Sequence, residues 1–247
     1  MQSRRAFFYQ EGAMKTVVII PAGGMGRRMG GEIPKQYLSL AGLPILVHTL
    51  RAFQHSPLVD EIFLVVPAGD VTEVRQDLVE RYNFSRVALV IAGGRERQDS
   101  VRNGLAHVRD EHEIILVHDG VRPFVTGELI EGAIAAAKRF GASIVGIPVL
   151  DTVKAVDAPG RVVQTVQREG LWLTQTPQAF RREVILAAYE RAAADGFYGT
   201  DDASLVERTG IPVRMIPGDA DNIKVTTPED LERGERIIRR FAGARAD

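Results

Sequence analysis

The sequence predicts a single α/β domain in which a mainly parallel sheet is covered by helices on both faces. Short β-branched and apolar runs alternate with amphipathic segments of helical spacing over residues 15–149. This βαβα order is typical of a three-layer sheet with right-handed crossovers. The 247 residues, of which 45% are hydrophobic, are enough for one full core. We place that domain at residues 14–241 and expect residues 242–247 to form a short tail.

The predicted elements follow one another in a regular order. The first strand, residues 15–20, has β-branched side chains at five consecutive positions and ends at Pro21, so we expect both of its faces to be buried. Thr126 is a candidate N-cap for the clearest helix, and Gly141 lies just past its end. Further strands are predicted at 61–66, 87–91, 113–117, 142–149 and 213–216. Helices are predicted at 44–55, 71–82, 98–108, 126–140, 182–194, 202–208 and 228–241.

The alternation of strands and helices breaks after residue 149. Residues 152–156 and 162–166, joined by a turn at 157–160, predict a β-hairpin. We name residues 150–175 the β-arm. An isolated hairpin is marginally stable in water, so we expect the β-arm to pack against a larger surface. The residues alone leave two alternatives open, a second subunit or the rest of the same domain.

Composition excludes several classes of protein. The formal net charge of −1 gives no indication of a nucleic-acid or membrane partner. The absence of cysteine excludes disulfides, thiolate metal sites and a cysteine nucleophile. No apolar run approaches the roughly 20 residues of a transmembrane helix, and residues 1–13 contain no hydrophobic stretch of signal-peptide length. We therefore expect a cytoplasmic protein with a mobile N-terminal extension at residues 1–13.

A glycine-rich loop with three cations follows the first strand. Its glycines let the backbone approach a bulky anion, and backbone N–H groups can then point at phosphate oxygens. Ligands of open α/β sheets bind at such carboxyl ends of strands. We predict a polyphosphate site here; the alternative is a surface turn with solvated arginines. The loop contains Gly23, Gly24, Gly26, Gly30, Gly31, Arg27, Arg28 and Lys35.

Two common phosphate-loop patterns do not match this loop. In a dinucleotide-binding fingerprint, Met29 would occupy the position of the third glycine. In a P-loop, Glu32 would replace the lysine and Ile33 the serine or threonine that follows it. The loop therefore fits neither pattern.

The segment PAGGMGRRMGGEIPKQY resembles the signature of nucleotidyltransferases that begin with a glycine-rich loop. Later segments are similar, in the same order, to one branch of that group, the 2-C-methyl-D-erythritol 4-phosphate cytidylyltransferases of the non-mevalonate isoprenoid pathway. These segments are GGRERQDSVRNGL, LVHDGVRPF, DTVK, QREGLWLTQTPQAF, TDDASLVE and DNIKVTTPEDL. The resemblance covers residues 14–239. One departure is Gly120-Val121, where many relatives carry two alanines.

The resemblance implies a Rossmann-like nucleotidyltransferase sheet with a protruding β-arm that forms a homodimer. It implies the transfer of CMP from CTP to 2-C-methyl-D-erythritol 4-phosphate, with Mg²⁺ held mainly through the CTP phosphates and no metal ligands from the protein. The nearest alternative is a cytidylyltransferase for ribitol 5-phosphate or a similar polyol phosphate. A non-catalytic nucleotide-binding regulator is a further alternative, and a Rossmann oxidoreductase is a more distant one.

The resemblance also implies roles for individual residues. The catalytic residues that it implies are Arg28, Lys35, Arg168 and Lys224. The nucleotide-binding residues that it implies are Pro21, Ala22, Gly23, Gly24, Gly26, Gly94, Arg95, Ser100 and Asp119. The residues that it implies for the second substrate are Arg122, Thr152, Arg168 and Thr176.

Several of these positions also allow an ordinary structural interpretation. Asp99 or Ser100 can simply cap the helix that follows Gly93-Gly94. Asp119 and Arg122, three residues apart, can pair with each other. Without the resemblance, Thr152 and Arg168 would be interpreted as solvated, and Lys224 as a surface residue.

Two further interpretations concern segments near the predicted site. We expect His118 to be structural, because a phosphomonoester nucleophile is already anionic and needs no general base. We interpret residues 221–226 as a short strand that carries Lys224.

Overall fold

The computed structural model describes residues 14–24 and 34–243, with side chains described up to residue 240. The predicted extension at 1–13, Gly26, Arg27 and Arg28 lie outside the described residues, as does most of the predicted tail. Among the described helices, none combines the length and the apolar character that crossing a bilayer requires.

The described strands and helices alternate as predicted in the first half of the chain. The strands are β1 (Lys15–Pro21), β2 (Ser39–Leu40), β3 (Leu43–Pro44), β4 (Glu61–Val66), β5 (Val87–Ala92), β6 (His112–Val117), β7 (Ala142–Pro148), β8 (Val153–Val156), β9 (Val162–Val166), β10 (Trp172–Arg181) and β11 (Arg214–Pro217). The α-helices are α1 (Ile45–His55), α2 (Val71–Val74), α3 (Arg97–Leu105), α4 (Gly127–Phe140), α5 (Arg182–Ala194), α6 (Asp202–Glu207) and α7 (Pro228–Gly243).

A seven-stranded sheet in the order β11-β7-β10-β6-β1-β4-β5 forms the middle layer. Strand β10 is antiparallel to both of its neighbours, and the other pairs are parallel. The mainly parallel, three-layer sheet predicted from the sequence is therefore confirmed. In β1, the alternating side chains of Val18 and Ile20 enter one core, and those of Val17 and Ile19 enter another.

The two faces of the sheet are covered by different helices. Leu50 of α1 and Ile130 of α4 pack in the core that contains Val18. Val101 of α3 and Ile185 of α5 pack in the opposite core. Burial of β1 on both faces explains why its sequence is a continuous β-branched run and does not alternate with polar residues.

The parallel strands place four carboxyl ends side by side. Strands β6, β1, β4 and β5 are consecutive neighbours in the sheet. The backbone pairing continues past the strand ends, where Ala22 N–H donates to Val65 O at 2.7 Å and Gly93 N–H donates to Val66 O at 2.7 Å. The loops after β1, β5 and β6 therefore share one edge of the sheet, which is where open α/β sheets bind ligands.

The ends of α4 follow the sequence prediction. The Thr126 side chain accepts a hydrogen bond from Leu129 N–H at 3.3 Å, which is N-cap geometry. Gly141 follows the helix with φ +90°, a backbone conformation that favours glycine.

The prediction for residues 71–82 is confirmed at its start and differs further on. Helix α2 ends at Val74, and Arg75–Glu80 continues as a π-helix.

Strand β10 is the largest element that the sequence analysis missed. Its segment contains Pro177 and the polar residues Gln175, Thr176 and Gln178, so it lacks the apolar alternation of a strand. It is nevertheless buried from Gln175 to Phe180, because β6 and β7 flank it on both sides. Pairing in the sheet outweighs the weak local preference here.

The predicted strand at residues 221–226 is wrong. This segment has no regular secondary structure, and one backbone bond, from Val225 N–H to Val121 O at 2.8 Å, attaches it to the loop after β6. The side chain of Val225 is buried in a small core with Leu40 and Ile45. A loop that buries a single apolar side chain, as here with Val225, can have the same local sequence pattern as a short strand, which explains the wrong strand prediction.

The predicted hairpin is confirmed, with strands β8 and β9 paired in a two-stranded sheet of their own. Asp157 N–H donates to Arg161 O at 3.0 Å to close its turn. Several large apolar residues of the β-arm are exposed. They are Leu150, Val156, Val162, Val163, Leu171, Trp172 and Leu173.

Two helical glycines give a test of the packing. A β-carbon on Gly132, on the exposed face of α4, would meet only Ile216 Cδ1, at 3.6 Å, which is ordinary contact. One on Gly104, on the buried face of α3, would lie 2.7 Å from Ile19 Cγ2. We therefore expect Gly132→Ala to raise the free energy of unfolding by about 0.5–1 kcal/mol, since alanine restricts the unfolded chain and favours helix.

The same substitution at the second glycine serves as the matched control. We expect Gly104→Ala to lower the stability by about 1–3 kcal/mol, because the added methyl overpacks a core with little free space. Urea unfolding followed by circular dichroism would measure both differences. Equal effects of the two substitutions would contradict the packing of α3 against β1.

Candidate active site

Asp119 lies two residues after the end of β6 and is the centre of a cluster of cationic side chains. Its Oδ1 lies 3.0 Å from Arg97 Nε. Its Oδ2 lies 2.9 Å from Lys224 Nζ and 3.6 Å from Arg122 Nε. Arg97 comes from the start of α3, Arg122 from the loop after β6, and Lys224 from the irregular segment before α7. The cluster therefore joins three parts of the chain at the carboxyl edge of the sheet.

A second carboxylate balances part of this charge. Arg97 Nη2 lies 2.8 Å from Asp202 Oδ2, and Tyr189 Oη donates to Asp202 Oδ1 at 2.5 Å. Asp202 is the first residue of α6 and is 1% exposed. With Lys224 and Arg122 included, three cations surround two carboxylates, so this group carries a net positive charge.

The cations keep Asp119 ionised. Burial alone would raise the pKa of Asp119, but the charges of Arg97, Lys224 and Arg122 together hold it well below its usual range. Arg97 is affected in the opposite direction: burial lowers its pKa, but Asp202 and Asp119 raise it above the ordinary value. Asp119 and Arg97 therefore stay charged at neutral pH.

Hydrogen bonds from the backbone and from neighbouring side chains hold Asp119 in place. Its N–H donates to Thr176 Oγ1 at 3.1 Å, and the same hydroxyl lies 3.1 Å from His118 Nδ1. His118 Nε2 lies 3.1 Å from Arg122 O and donates to it, because a carbonyl oxygen only accepts. In the neutral ring, Nδ1 is then unprotonated and accepts the hydrogen bond of the Thr176 hydroxyl.

Burial lowers the pKa of His118 to about 4, so the ring is neutral at physiological pH. Both of its nitrogens are used inside the protein. This geometry agrees with a structural histidine and leaves it no role as a general base.

The loop after β5 provides a second backbone surface at the same edge. Gly94 N–H donates to Ser100 Oγ at 3.1 Å, and Ser100 Oγ donates to Glu96 O at 3.2 Å. A β-carbon on Gly94 would collide with Asp99 Cβ, so this loop requires glycine. The cap of α3 differs from the expected one, because Glu96 is the N-cap and forms a reciprocal capping box with Asp99.

The nucleotide-binding residues predicted near β1 lie at its carboxyl end. Pro21 is the last residue of β1, and Ala22, Gly23 and Gly24 follow it. Lys35 begins the short 3₁₀-helix Lys35–Tyr37, and a β-carbon on Gly24 would lie 3.4 Å from its Nζ. The absence of a side chain at Gly24 therefore leaves room for Lys35 at the strand end.

The remaining predicted site residues differ in exposure: Arg122 is nearly buried, and the others are exposed. Arg122 Nη1 donates to Asn222 O at 2.8 Å. The side chain of Arg95 is 92% exposed, so it makes little contact with the protein. Thr152 and Arg168 are exposed at the base of the β-arm, where Arg168 donates to Leu150 O. Within the described residues, no hydrogen bond or ion pair joins these two to the Asp119 cluster.

Sequence reasoning missed Arg97, Asp202 and Tyr189. The first two lie in GGRERQDS and TDDASLVE, which are distant in the chain, and nothing in their local pattern indicates that they pair. The sequence shows an arginine at position 97, near the start of a predicted helix, but charged side chains at such positions are usually solvated. The contact depends on the sheet order, which brings the starts of α3 and α6 together.

Comparison with known proteins connects this geometry to one family. Residues 16–240 match the family model described as 2-C-methyl-D-erythritol 4-phosphate cytidylyltransferase. Relatives of that name from Syntrophus aciditrophicus and Geobacter metallireducens are each 52% identical over 229 residues. The first alignment covers 93% of this chain and 98% of the relative, the second 92% and 98%.

Solved structures agree with the sequence comparison. The 4-diphosphocytidyl-2C-methyl-D-erythritol synthase of Anaerococcus prevotii superposes with a TM-score of 0.80 at 32% identity, covering 92% of this chain and 97% of the other. The 2-C-methyl-D-erythritol 4-phosphate cytidylyltransferase of Thermus thermophilus superposes with a TM-score of 0.76 at 32% identity, covering 92% and 100%. The chain belongs to the 2-C-methyl-D-erythritol 4-phosphate cytidylyltransferase family.

Proposed function

We propose that this protein transfers CMP from CTP to 2-C-methyl-D-erythritol 4-phosphate, giving 4-diphosphocytidyl-2-C-methyl-D-erythritol and pyrophosphate. The observation that carries the proposal is the net positive cluster of Asp119, Arg97, Arg122 and Lys224 at the carboxyl edge of β6. Two phosphorylated substrates would bring several negative charges to one place, and such a cluster offsets them.

The reaction forms one bond and breaks one. An oxygen of the substrate's 4-phosphate attacks the α-phosphorus of CTP and forms a new P–O bond. The bond between the α-phosphorus and the bridging oxygen of the β-phosphate breaks, and pyrophosphate leaves with that electron pair. The attacking phosphate is already anionic, so no side chain has to remove a proton. The protein is left to position both substrates and to stabilise charge on the phosphate oxygens.

Lys224 and Lys35 are suited to that second task. The Lys224 side chain is 37% exposed, so its ammonium can move from Asp119 to a phosphate oxygen. Lys35 lies at the end of β1 beside Gly24, where a triphosphate would approach the backbone. We assign Arg28, which lies outside the described residues, to the same role on the basis of the family motif. Together, these cations would oppose the charge that grows at the α-phosphate.

Mg²⁺ fits this edge of the sheet as an ion held mainly by CTP. Mg²⁺ prefers oxygen ligands and is usually bound by one or two carboxylates together with substrate phosphates. Asp119 supplies one ionised carboxylate, of which Oδ2 forms an ion pair with the partly exposed Lys224. Bound Mg²⁺ would neutralise charge on the phosphates and orient them.

A different group of ligand atoms lies at the opposite edge. Atoms of Glu61, Glu111 and His112 are within 4.8 Å of one another at the starts of β4 and β6. Lys15 bonds both of these carboxylates, at 2.9 and 3.0 Å, so their charge is already balanced. This group is far along the strands from the proposed substrate site, and we do not assign the metal to it.

The β-arm supports a homodimer. Its exposed apolar residues include Val163, Trp172 and Leu173, which would leave water if a second copy covered them. Thr152 and Arg168 lie on the same segment and do not join the Asp119 cluster of their own chain. In a dimer, they would be available to the second substrate in the partner's site, as the family resemblance implies.

The proposed function predicts which phosphate acceptor releases pyrophosphate. We expect rapid release with CTP, Mg²⁺ and 2-C-methyl-D-erythritol 4-phosphate, and little release with ribitol 5-phosphate. A coupled pyrophosphate assay would measure both. Pyrophosphate release with ribitol 5-phosphate but not with 2-C-methyl-D-erythritol 4-phosphate would show that the acceptor is a polyol phosphate. No release with either, while CTP still raised the melting temperature, would indicate a nucleotide-binding protein without turnover.

Removing the Lys35 ammonium tests its assigned role. We expect Lys35→Ala to lower kcat by about 10²–10³-fold with a much smaller change in the KM for CTP, because the charge acts mainly on the transition state. Lys138→Ala is the matched control, since Lys138 lies on α4 and pairs with Glu113. An effect on KM alone would show that Lys35 contributes uniform binding and no catalysis.

Charge substitutions on the β-arm test the dimer. We expect Leu173→Asp to convert the protein to monomers in sedimentation velocity at micromolar concentration, because a buried unpaired carboxylate disfavours association. Leu58→Asp is the matched control, as Leu58 is another exposed leucine outside the β-arm. A wild-type protein that sediments as a monomer would exclude the proposed dimer. Pyrophosphate release by the monomeric variant should fall if Arg168 acts in the partner's site.

A further inference from the structure

We propose that Arg97 is a positioning residue. It holds Asp119 Oδ1, so that only Oδ2 pairs with Lys224 and Arg122, the cations that would contact the substrates. The kinetic part of the inference rests on the proposed function, and the orientation of Asp119 can be tested without it. Neither the sequence motifs nor the family resemblance assigned a role to Arg97. It does not have to touch a substrate to act in this way.

Arg97 contacts two carboxylates through two different nitrogens. Its Nε lies 3.0 Å from Asp119 Oδ1, and its Nη2 lies 2.8 Å from Asp202 Oδ2. The guanidinium is planar, so the hydrogen bond from Nε and the ion pair at Nη2 together restrict the plane as well as the position of the group. A lysine at this position would offer one ammonium on a flexible stem and would leave the orientation free.

Asp202 is built as a fixed anchor. It is 1% exposed, and its other oxygen accepts the hydrogen bond of Tyr189 at 2.5 Å. Gln178 holds the residues on either side, donating to Asp201 Oδ2 at 2.7 Å and accepting from Ala203 N–H at 2.9 Å. The Asp202 carboxylate therefore has little freedom to move, and its ion pair with Arg97 restricts the guanidinium as well.

The first turn of α3 is tied to the segment before α6 at a second position. Gln98 Nε2 donates to Phe197 O at 2.9 Å, and Gln98 Oε1 accepts from Gly199 N–H at 2.9 Å. Tyr198 Oη donates to Asp99 Oδ1 at 3.1 Å. The start of α3 and the start of α6 thus form one connected unit, which positions Arg97 independently of any ligand.

The two oxygens of Asp119 consequently face different partners. Oδ1 contacts Arg97, whose charge is already shared with buried Asp202. Oδ2 contacts Lys224, which is 37% exposed, and lies 3.6 Å from Arg122. A bound phosphate can compete for Lys224 and Arg122 without disturbing the bond to Oδ1. The carboxylate would then keep its place while its cations change partner.

Asp202→Asn is the primary test, because it removes the charge that anchors Arg97 and keeps the shape and an oxygen for Tyr189. We expect kcat for pyrophosphate release to fall by about tenfold to 100-fold, since a displacement of about 1 Å near the reacting groups can have that effect. The KM for CTP should change much less. Arg102→Met is the matched control, as Arg102 also lies on α3 and pairs only with Asp99 among the described residues.

A double-mutant cycle distinguishes positioning from general stabilisation. If Arg97 and Asp202 act through Asp119, Asp202→Asn should change kcat by less than about twofold in an Asp119→Asn background, because coupled residues are not additive. Full additivity of the two substitutions would overturn the inference. Melting temperatures of all variants show whether loss of folding accounts for a lower rate, and an additive, stability-linked loss would mean a merely structural role.

A crystal structure of Arg97→Met tests the orientation without activity. We expect the Asp119 carboxylate to rotate and its Oδ2 to leave Lys224. An unchanged Asp119 would overturn the inference. If Arg97→Met does not fold, the structure of Asp202→Asn answers the same question. A wild-type protein that released no pyrophosphate would contradict the proposed function, and the crystal structures would still decide whether Arg97 positions Asp119.

Discussion

The site depends on one physical constraint, which is that the Asp119 carboxylate is ionised and almost entirely removed from water. A buried carboxylate without nearby cations is strongly destabilising. Here, Arg97, Arg122 and Lys224 supply that compensation from three separate parts of the chain. The loop after β6, the start of α3 and the segment before α7 therefore meet at one point. Compensation of this one charge holds the three segments together at the carboxyl edge of the sheet.

The same constraint explains why the site suits anionic ligands. Three cations and two carboxylates leave one positive charge, before Lys35 and the arginines outside the described residues are counted. Asp119 competes with a ligand for Lys224 and Arg122, so these cations are held in place before a substrate arrives. A phosphate that displaces the carboxylate from Lys224 meets a side chain that is already positioned. Such preorganisation lowers the cost of reorientation during the reaction.

The sequence predicts the elements whose pattern is local and leaves out those that depend on distant neighbours. β1 is predicted because a continuous β-branched run can be buried on both faces. α5 is predicted with its observed bounds, 182–194, because its apolar residues recur at helical spacing. β10 is missed because its polar and proline-containing middle is stabilised by strands on both sides. Residues 221–226 are wrongly predicted as a strand, because the buried Val225 gives this loop the sequence pattern of a short strand.

Site residues follow the same division. Gly94 and Lys35 lie in motifs, so resemblance could indicate them. The ion pair between Arg97 and Asp202 joins two helix starts that only the sheet order brings together, and no local pattern encodes it. The more a functional contact depends on topology, the less a single sequence reveals of it.

β10 connects the β-arm to the site through a single strand. Its first residues, Trp172 to Thr174, are exposed and continue from the β-arm, whereas Gln175 to Phe180 are buried between β6 and β7. Thr176 in the buried part supports the backbone of Asp119, and Gln178 supports the residues beside Asp202. In the proposed dimer, a partner that covers the exposed part would therefore restrict the strand that holds both carboxylates. Association and assembly of the site would share one element, because an antiparallel strand in the middle of a sheet cannot shift without breaking hydrogen bonds on both sides.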